Sequence, residues 1–381
     1  MVDTSGKNIL NAINLGSPVK AIYNNGVQVW PPSTYSYYIK WEPSDVSGSF
    51  TMEGVSHYFT TYMGYYTWST GVIDSYAFSG TNITSMETNA ISINDNAFNG
   101  CTNLTYAADS NCSIIGNSAF YNCTSLDYAY FSNCTKFGNA AFQNCPIKSG
   151  HNLGDVTEIG TSAFKNAGLD YVVFSYLDHI PDCAFEDCQN LSYVYFSDPT
   201  YFGSSAFRNC TSLQGFQGKT VGNVNFFSVN NCSYIGSYAF DGCTSLFSYI
   251  HPETGVLYMA DLYLPSCTYI GAYAFRSCGF NHISIPICPE VPLNAFNYCR
   301  IDIDIKLGSC SKLIGQLSTS QSTSFNIYLY STSMVQLTTS DAFVNAISNI
   351  ESIYVPVSLV TQYRTDSLWS WYSSVIKPSA I

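Results

Sequence analysis

Asp302 and Asp304 stand two residues apart in the run Arg300-Ile-Asp-Ile-Asp-Ile-Lys306. On a strand that spacing puts both carboxylates on one side. Glycoside hydrolysis needs such a pair, held at a defined separation across a cleft. A solvated strand edge is the competing expectation and the stronger one. Asp178-His179 is the other tight acidic pairing. The remaining histidines (57, 151, 251 and 282) are scattered, as expected of surface and loop positions. No glycine-rich phosphate loop, H-E-x-x-H or G-x-S-x-G is present. Fifteen cysteines are a large number, but none forms the paired C-x-x-C ligands of a zinc site. The expectation is a chain without enzymatic activity, cofactor or metal.

The elements behind these residues are set by a repeat. Ala-Phe pairs recur with Phe at 78, 98, 120, 142, 164, 185, 207, 240, 275, 296 and 343. The intervals are 20, 22, 22, 22, 21, 22, 33, 35, 21 and 47. The 33 and 35 are one unit plus insertions near 215–230 and 250–264. The 47 divides as 22 + 25 if residues 310–317 form a unit lacking its Ala-Phe. Within one unit, Ile115, Ala119, Phe120, Leu126, Ala129 and Phe131 are read as inward. Each large one is worth about 1.5–3 kcal/mol when buried, and only stacked neighbours can bury it. Residues 118–122 read as a short helical turn. Two residues after the Phe stand Gly100, Asn122, Asn144, Asn166, Asp187, Asn209 and Gly242, types that tolerate positive φ. The following Leu-x-x-Ala/Val-x-Phe segment is the strand of each coil, stacking into one long parallel sheet.

Cysteine falls in two columns of this repeat. Cys101, Cys123, Cys145, Cys188, Cys210, Cys243, Cys278 and Cys299 lie three residues after the Phe; Cys112, Cys134, Cys232, Cys267 and Cys288 lie eight before it. One cysteine per structural slot reads as a small buried hydrophobe, with thiols expected over disulfides.

The pattern C-x-x-I-G-x-x-A-F-x-N/G-C-T-S-L, in phase over about 71–342, resembles the BspA-like (Treponema-pallidum-type) leucine-rich repeat. The resemblance implies a repeat solenoid with a C-terminal helical cap. Leu359, Val360, Tyr363, Leu368, Trp369, Tyr372 and Ile376 form apolar stripes at helical spacing that would supply that cap. The expected division is 1–32 as an N-terminal β-hairpin attachment module, 33–70 as an aromatic-rich β cap, 71–350 as the solenoid and 351–381 as the C-terminal cap.

In the first segment, Val19, Ile22, Tyr23, Val27, Val29 and Trp30 alternate about Asn25-Gly26, a strong hairpin signal, before Pro31-Pro32 ends the pairing. A lone hairpin is marginal in water and needs something to dock on. The segment resembles short N-terminal modules on virion proteins of tailed phages of gut Bacteroidetes, including the crAss-like group. That resemblance implies attachment to other virion proteins; a capping hairpin is the alternative.

Charge narrows the partners. Lys and Arg number 14 against 26 Asp and Glu, a net charge of −12, and only 10 % of residues are charged. With no basic cluster, nucleic acid and anionic lipid are not expected partners. No run of eighteen apolar residues predicts membrane insertion. The first residues show no basic-then-apolar leader, so synthesis in a host cytoplasm without a signal peptide is expected.

Outward strand positions lie two and four residues after each strand Leu: Tyr106/Ala108, Tyr128/Tyr130, Ser149/His151, Tyr171/Val173, Tyr193/Tyr195, Gly215/Gln217 and His282/Ser284. Tyr106, Tyr128, Tyr130, Tyr171, Tyr193 and Tyr195 therefore form the candidate binding face. Tyrosine rings could receive a sugar face or a protein partner, or could serve only to stabilise the sheet through cross-strand contacts. Three functions compete: a structural component of a tailed-phage virion, such as a head- or tail-attached fibre or decoration; a BspA-like adhesin on a bacterial cell surface, binding matrix or glycan; and a carbohydrate-active enzyme.

Overall fold

The computed structural model describes residues 22–24, 27–30, 37–43, 48–52, 55–59, 64–68, 71–148, 153–174, 176–196, 199–216, 229–246, 248–250, 257–259, 261–319 and 324–379. The chain winds as a parallel β-solenoid of about 12 turns. One strand of each coil joins a first ladder: Tyr106–Asp109 pairs in parallel with Ile83–Thr88 on one side and Tyr128–Tyr130 on the other. The register Tyr106↔Tyr128 and Ala107↔Ala129 is the 22-residue sequence period written in space.

The single long sheet read from the sequence is joined by a second ladder, made of two- and three-residue strands. Ile114–Ile115 pairs with Ser92–Ile93 and Lys136–Phe137, and the series resumes through Tyr201–Phe202, Tyr234–Ile235 and Tyr269–Ile270. The expected insertions interrupt the first ladder between Gly215–Phe216 and Leu262–Tyr263, leaving an antiparallel pair Ser248–Ile250 with Leu257–Met259. The second ladder runs past them unbroken, so each insertion leaves one side of a coil and returns in phase.

Apart from the 3-10 turn Leu293–Phe296, the Ala-Phe segments are not helical. Phe98 donates its N–H to the Ala119 carbonyl of the next coil at 2.8 Å, and Phe120 to Ala141 likewise, while the residues between make turns within the coil. Two left-handed residues per coil produce this geometry. One is the position after the Phe that the sequence marks, with φ of 58° at Asn122 and 64° at Asn144. The other is two residues before it, where Ser118, Ala140, Cys183 and Tyr238 take φ between 52° and 60°. Positive φ costs a non-glycine residue about 1 kcal/mol or more, offset here by cross-coil hydrogen bonds.

The core is the stacked phenylalanines. Phe50 and the Phe of the first ten pairs, from 78 to 296, form one column with neighbouring centroids 4.6–5.7 Å apart. The six inward residues of the unit around Phe120 are all buried. The glycine of I-G permits this close stacking. A Cβ on Gly138 would stand 2.5 Å from the Asn117 nitrogen of the preceding coil. Where the Ala-Phe is missing, Leu317 takes the phenylalanine slot and donates to the Ala342 carbonyl. The 47-residue interval thus divides at Leu317 as 21 + 26, not 22 + 25.

Both ends are closed by segments outside the repeat. Tyr37–Pro43 pairs antiparallel with Ile83–Thr88 and with Gly64–Trp68, and Thr51 donates its N–H to Ala77 O at 2.9 Å. At the other end come the helix Val360–Thr365 and a 3-10 turn Trp369–Tyr372. The Tyr372 hydroxyl accepts the Phe343 N–H at 3.0 Å, where another coil would have offered a carbonyl. Trp369 donates its indole N–H to Val335 O at 2.7 Å, and Tyr363 accepts the Val335 N–H. Ile376 belongs to a final strand, Ile376–Ser379, parallel to Ile350–Pro356, and not to the helical stripe. Its burial against the core gave it a spacing that mimics a helix.

Candidate binding surface

Tyr106 and Tyr128 are register partners on adjacent strands, 39 % and 45 % exposed, with centroids 5.1 Å apart and planes within 5°. Each ring covers a face of the other. The two surfaces that face each other are closed to a sugar, and the register neighbour beyond Tyr106 is Ser85, which has no ring. Further along, Tyr171 pairs with Tyr193 and Val173 with Tyr195. Tyr193 donates its hydroxyl to Gln214 Oε1 at 2.6 Å, with Gly215 next in register. Ser149, His151 and Gln217 lie outside the described residues.

Tyr130 differs from its neighbours. Its register partner is Ala108, which in turn pairs with Glu87. The column therefore reads Glu87, Ala108, Tyr130, and the middle residue has no ring to offer. A shallow depression results, lined by Glu87, Tyr106, Ala108, Asp109, Ser110 and Tyr130 among others.

Asp109 is the unusual member. It follows Ala107 by two, the place where later strands carry Phe131, Phe174 and Phe196. It is 1 % exposed. Its Oδ1 accepts the N–H of Asn111 at 2.6 Å and of Cys112 at 2.9 Å, while its buried Oδ2 has no partner. Burial pushes the carboxyl up to about 6, against the pull of those backbone N–H groups. A carboxyl in a phenylalanine slot is visible in the sequence as a break in the Ala-x-Phe pattern, outside the outward positions that define the candidate face.

The acidic pair on Arg300–Leu307 is divided between different cations. Arg300 Nε lies 3.0 Å from Asp302, whereas Asp304 is buried between His282 Nδ1 at 2.8 Å and Lys306 Nζ at 2.9 Å. His282 and Lys306 cover Asp304 on the outer face, so the expected solvated edge does not hold for it. His179 stacks on Tyr201 at 4.1 Å instead of serving Asp178.

That contact begins a second aromatic ladder which sequence reasoning missed. His179, Tyr201, Tyr234 and Tyr269 stack at 4.1, 4.5 and 4.6 Å on the second sheet. The signal was the aromatic residue before I/F-G in three successive units, Tyr201, Tyr234 and Tyr269, preceded by His179 before Ile180-Pro181. On the turn side, Lys165, Glu186, Arg208, Asp241 and Arg276 alternate in sign on successive coils at 2.6–3.6 Å. Their cations are already engaged.

All fifteen cysteines are thiols. Those three residues after the Phe donate to the Phe carbonyl of the preceding coil, as Cys123 does to Phe98 and Cys145 to Phe120. Those in the other column donate to the carbonyl two residues on, as Cys112 does to Ile114. Burial pushes Cys188 up to about 12. Among the described residues no group of metal-ligating side chains is gathered, and no helix is long and apolar enough to cross a membrane.

Of the proposed attachment residues, Ile22, Tyr23, Val27, Val29 and Trp30 lie on the antiparallel strands Ile22–Asn24 and Val27–Trp30. Val19 lies outside the described residues.

The model of the BspA type leucine rich repeat region matches residues 66–170, 214–261 and 255–367, in six copies. Among solved structures, a leucine-rich repeat protein from Bacteroides ovatus is 17 % identical over 80 % of this chain and 97 % of its own, with a TM-score of 0.42. A T. pallidum leucine-rich repeat protein is 25 % identical over 37 % of this chain and 71 % of its own, at 0.31. A leucine-rich cell surface protein from Faecalibacterium prausnitzii is 19 % identical over 76 % and 83 %, at 0.34. None of the curated proteins compared with the chain matches it.

Proposed function

The chain belongs to the BspA-type leucine-rich repeat family, and from that premise we propose that it is a non-enzymatic display scaffold of a tailed-phage virion. Residues 1–32 attach it to other virion proteins, and the solenoid presents its tyrosine-bearing sheet to a glycan or protein of the host surface. The carrying observation is that sheet. Tyr106, Tyr128, Tyr130, Tyr171, Tyr193 and Tyr195 recur at outward register positions in a chain only 10 % charged. A face kept merely soluble would be expected to carry more charge. Exposed tyrosine combines contact area with a hydrogen-bonding tip and is favoured where partners dock.

Among the described residues, the groups that could do chemistry are engaged with one another, which suits a scaffold. Asp302 and Asp304 are bound to different cations, and every thiol but that of Cys183 is buried and hydrogen-bonded to a carbonyl. The virion placement rests on the likeness of the first 32 residues to phage attachment modules. Family membership favours a second reading, a cell-surface adhesin.

Mass spectrometry of purified particles and cell envelopes separates the two. The chain at fixed stoichiometry in DNA-containing particles, and its loss from them on deleting residues 1–32, is the expected result. The chain only in envelope or medium would overturn the virion placement and establish the adhesin.

A further inference from the structure

We infer that the chain pairs with a second copy of itself through the second sheet, antiparallel and displaced by one coil, so that the two-fold axis passes beside Tyr234. This goes beyond the host-facing reading, since the surface lies on the other ladder and its partner is an identical chain.

One outward column of that sheet runs over eight successive coils, each of its residues standing just before a buried apolar one. Lys136 and Glu158 open it, the four stacked rings from His179 to Tyr269 follow, and Glu290 and Lys312 close it. The coils at the two junctions are joined by bonds from the Phe164 N–H to Ala184 O and from the Phe275 N–H to Ala295 O, both 2.9 Å. At each end the lysine lies against its glutamate, at 2.7 Å for Lys136–Glu158 and 3.5 Å for Lys312–Glu290, and all four side chains face solvent. In a chain only 10 % charged, no charge interrupts the rings. An aromatic centre with charge confined to its rim is the make-up of a protein–protein interface.

The order of the charges selects the partner. From either end the column reads lysine, glutamate, ring, so it is nearly the same in both directions, as an isologous contact requires. A direct antiparallel overlay would set glutamate on glutamate and lysine on lysine. Displacement by one coil instead puts Lys312 opposite Glu158 of the second copy and Glu290 opposite its His179. Tyr269 then meets Tyr201, Tyr234 meets itself, and Lys136 falls opposite Gln336, the register neighbour of Lys312. Every charge thus meets an opposite charge, an imidazole or an amide, the complementarity that fixes register between partners. Displacement the other way sets Glu158 against the Tyr269 ring. Nine overlapping rungs at about 4.8 Å make a strip about 38 Å long. With its flanking columns it offers on the order of 700 Å² per copy, near the roughly 800 Å² of a standard interface.

Sedimentation velocity on the full chain tests this. A monomer–dimer equilibrium with a midpoint on the order of 10 µM is expected, shifting to higher concentration with added salt. Lys312→Glu should raise the midpoint about tenfold, and Lys312→Glu combined with Glu158→Lys should recover most of it. Both positions are exposed, so the fold is not at stake. Cross-linking reads the register, in a Cys183→Ser background whose remaining thiols are buried. Under oxidation Tyr234→Cys should form covalent dimers by itself, whereas Tyr201→Cys and Tyr269→Cys should do so only when the two variants are mixed. The mixed pair keeps the test available if Tyr234→Cys folds poorly. A chain still monomeric at about 100 µM would overturn the pairing. So would a dimer unmoved by Lys312→Glu, or one cross-linked through Tyr106→Cys and not through these positions, which would place the contact on the first sheet.

Discussion

The Cys145 thiol donates a hydrogen bond to the carbonyl oxygen of Phe120, 2.9 Å away and one coil earlier. The same oxygen accepts the Cys123 N–H of its own coil at 3.2 Å. The thiol thus joins two coils at the base of the phenylalanine column. Cys145→Ala should cost about 1–2 kcal/mol, from the lost bond and the space left by sulfur. Cys145→Ser retains a donor and should recover part of that in urea titrations. A cost indistinguishable from zero for Cys145→Ala would show that sulfur there is only filler.

Thiol reactivity should single out one residue. Cys183 is half-buried while the other fourteen cysteines are buried, and burial together with Glu186 pushes it up to about 11. A thiol reagent should therefore label one site per native chain, slowly near neutrality and faster as pH rises. Under denaturant all fifteen should react. Rapid labelling of several sites in the native chain would contradict the stacked arrangement.

Asp109 makes stability depend on pH in an unusual direction. Its folded pKa, about 6, lies above the ordinary carboxylate value, so folding favours the protonated form. Its contribution is fully present below pH about 4 and is lost as pH rises through about 6, at most about 3 kcal/mol. Asp109→Asn preserves an acceptor for Asn111 and Cys112 and removes the ionisation. Thermal melts across that interval should show a flatter slope for the variant, with stability above pH 7 equal to or greater than the original. A variant less stable at every pH would mean that the carboxylate is held by a group that favours its charge.

Gly138 measures how closely the coils approach. An added methyl would meet the Asn117 nitrogen at 2.5 Å, and backbone cannot move aside as a side chain can. Gly138→Ala should destabilise by about 2–3 kcal/mol, read from the midpoint of denaturant unfolding. A neutral result would show that the coils can separate at little cost.

The core was legible because its rule is strict. Ala-Phe at a near-constant interval requires one identical slot per coil, and those phenylalanines form the stacked column. The left-handed residue after each Phe was legible for the same reason, since glycine, asparagine and aspartate advertise it. Its counterpart two residues before the Phe was not, because Ser118, Ala140, Cys183 and Tyr238 are not types that announce positive φ. The second ladder escaped because two-residue strands are too short to show alternation. Spacing placed Tyr106 and Tyr128 on one face, but it could not tell that their rings would cover each other. Asp109 stands where Ala-x-Phe predicts phenylalanine, and a single departure from a period carries no spacing of its own to mark it.

The two end closures have a consequence for reach. Thr51 meets the Ala77 carbonyl, Tyr372 meets the Phe343 N–H, and neither closure touches the coils between. An interior unit could be duplicated or removed without exposing a raw end, each one changing the length by about 5 Å. The distance at which this chain holds its sheet from whatever anchors it is then set by a count of identical parts, adjustable in fixed steps while the surfaces at both extremities stay the same.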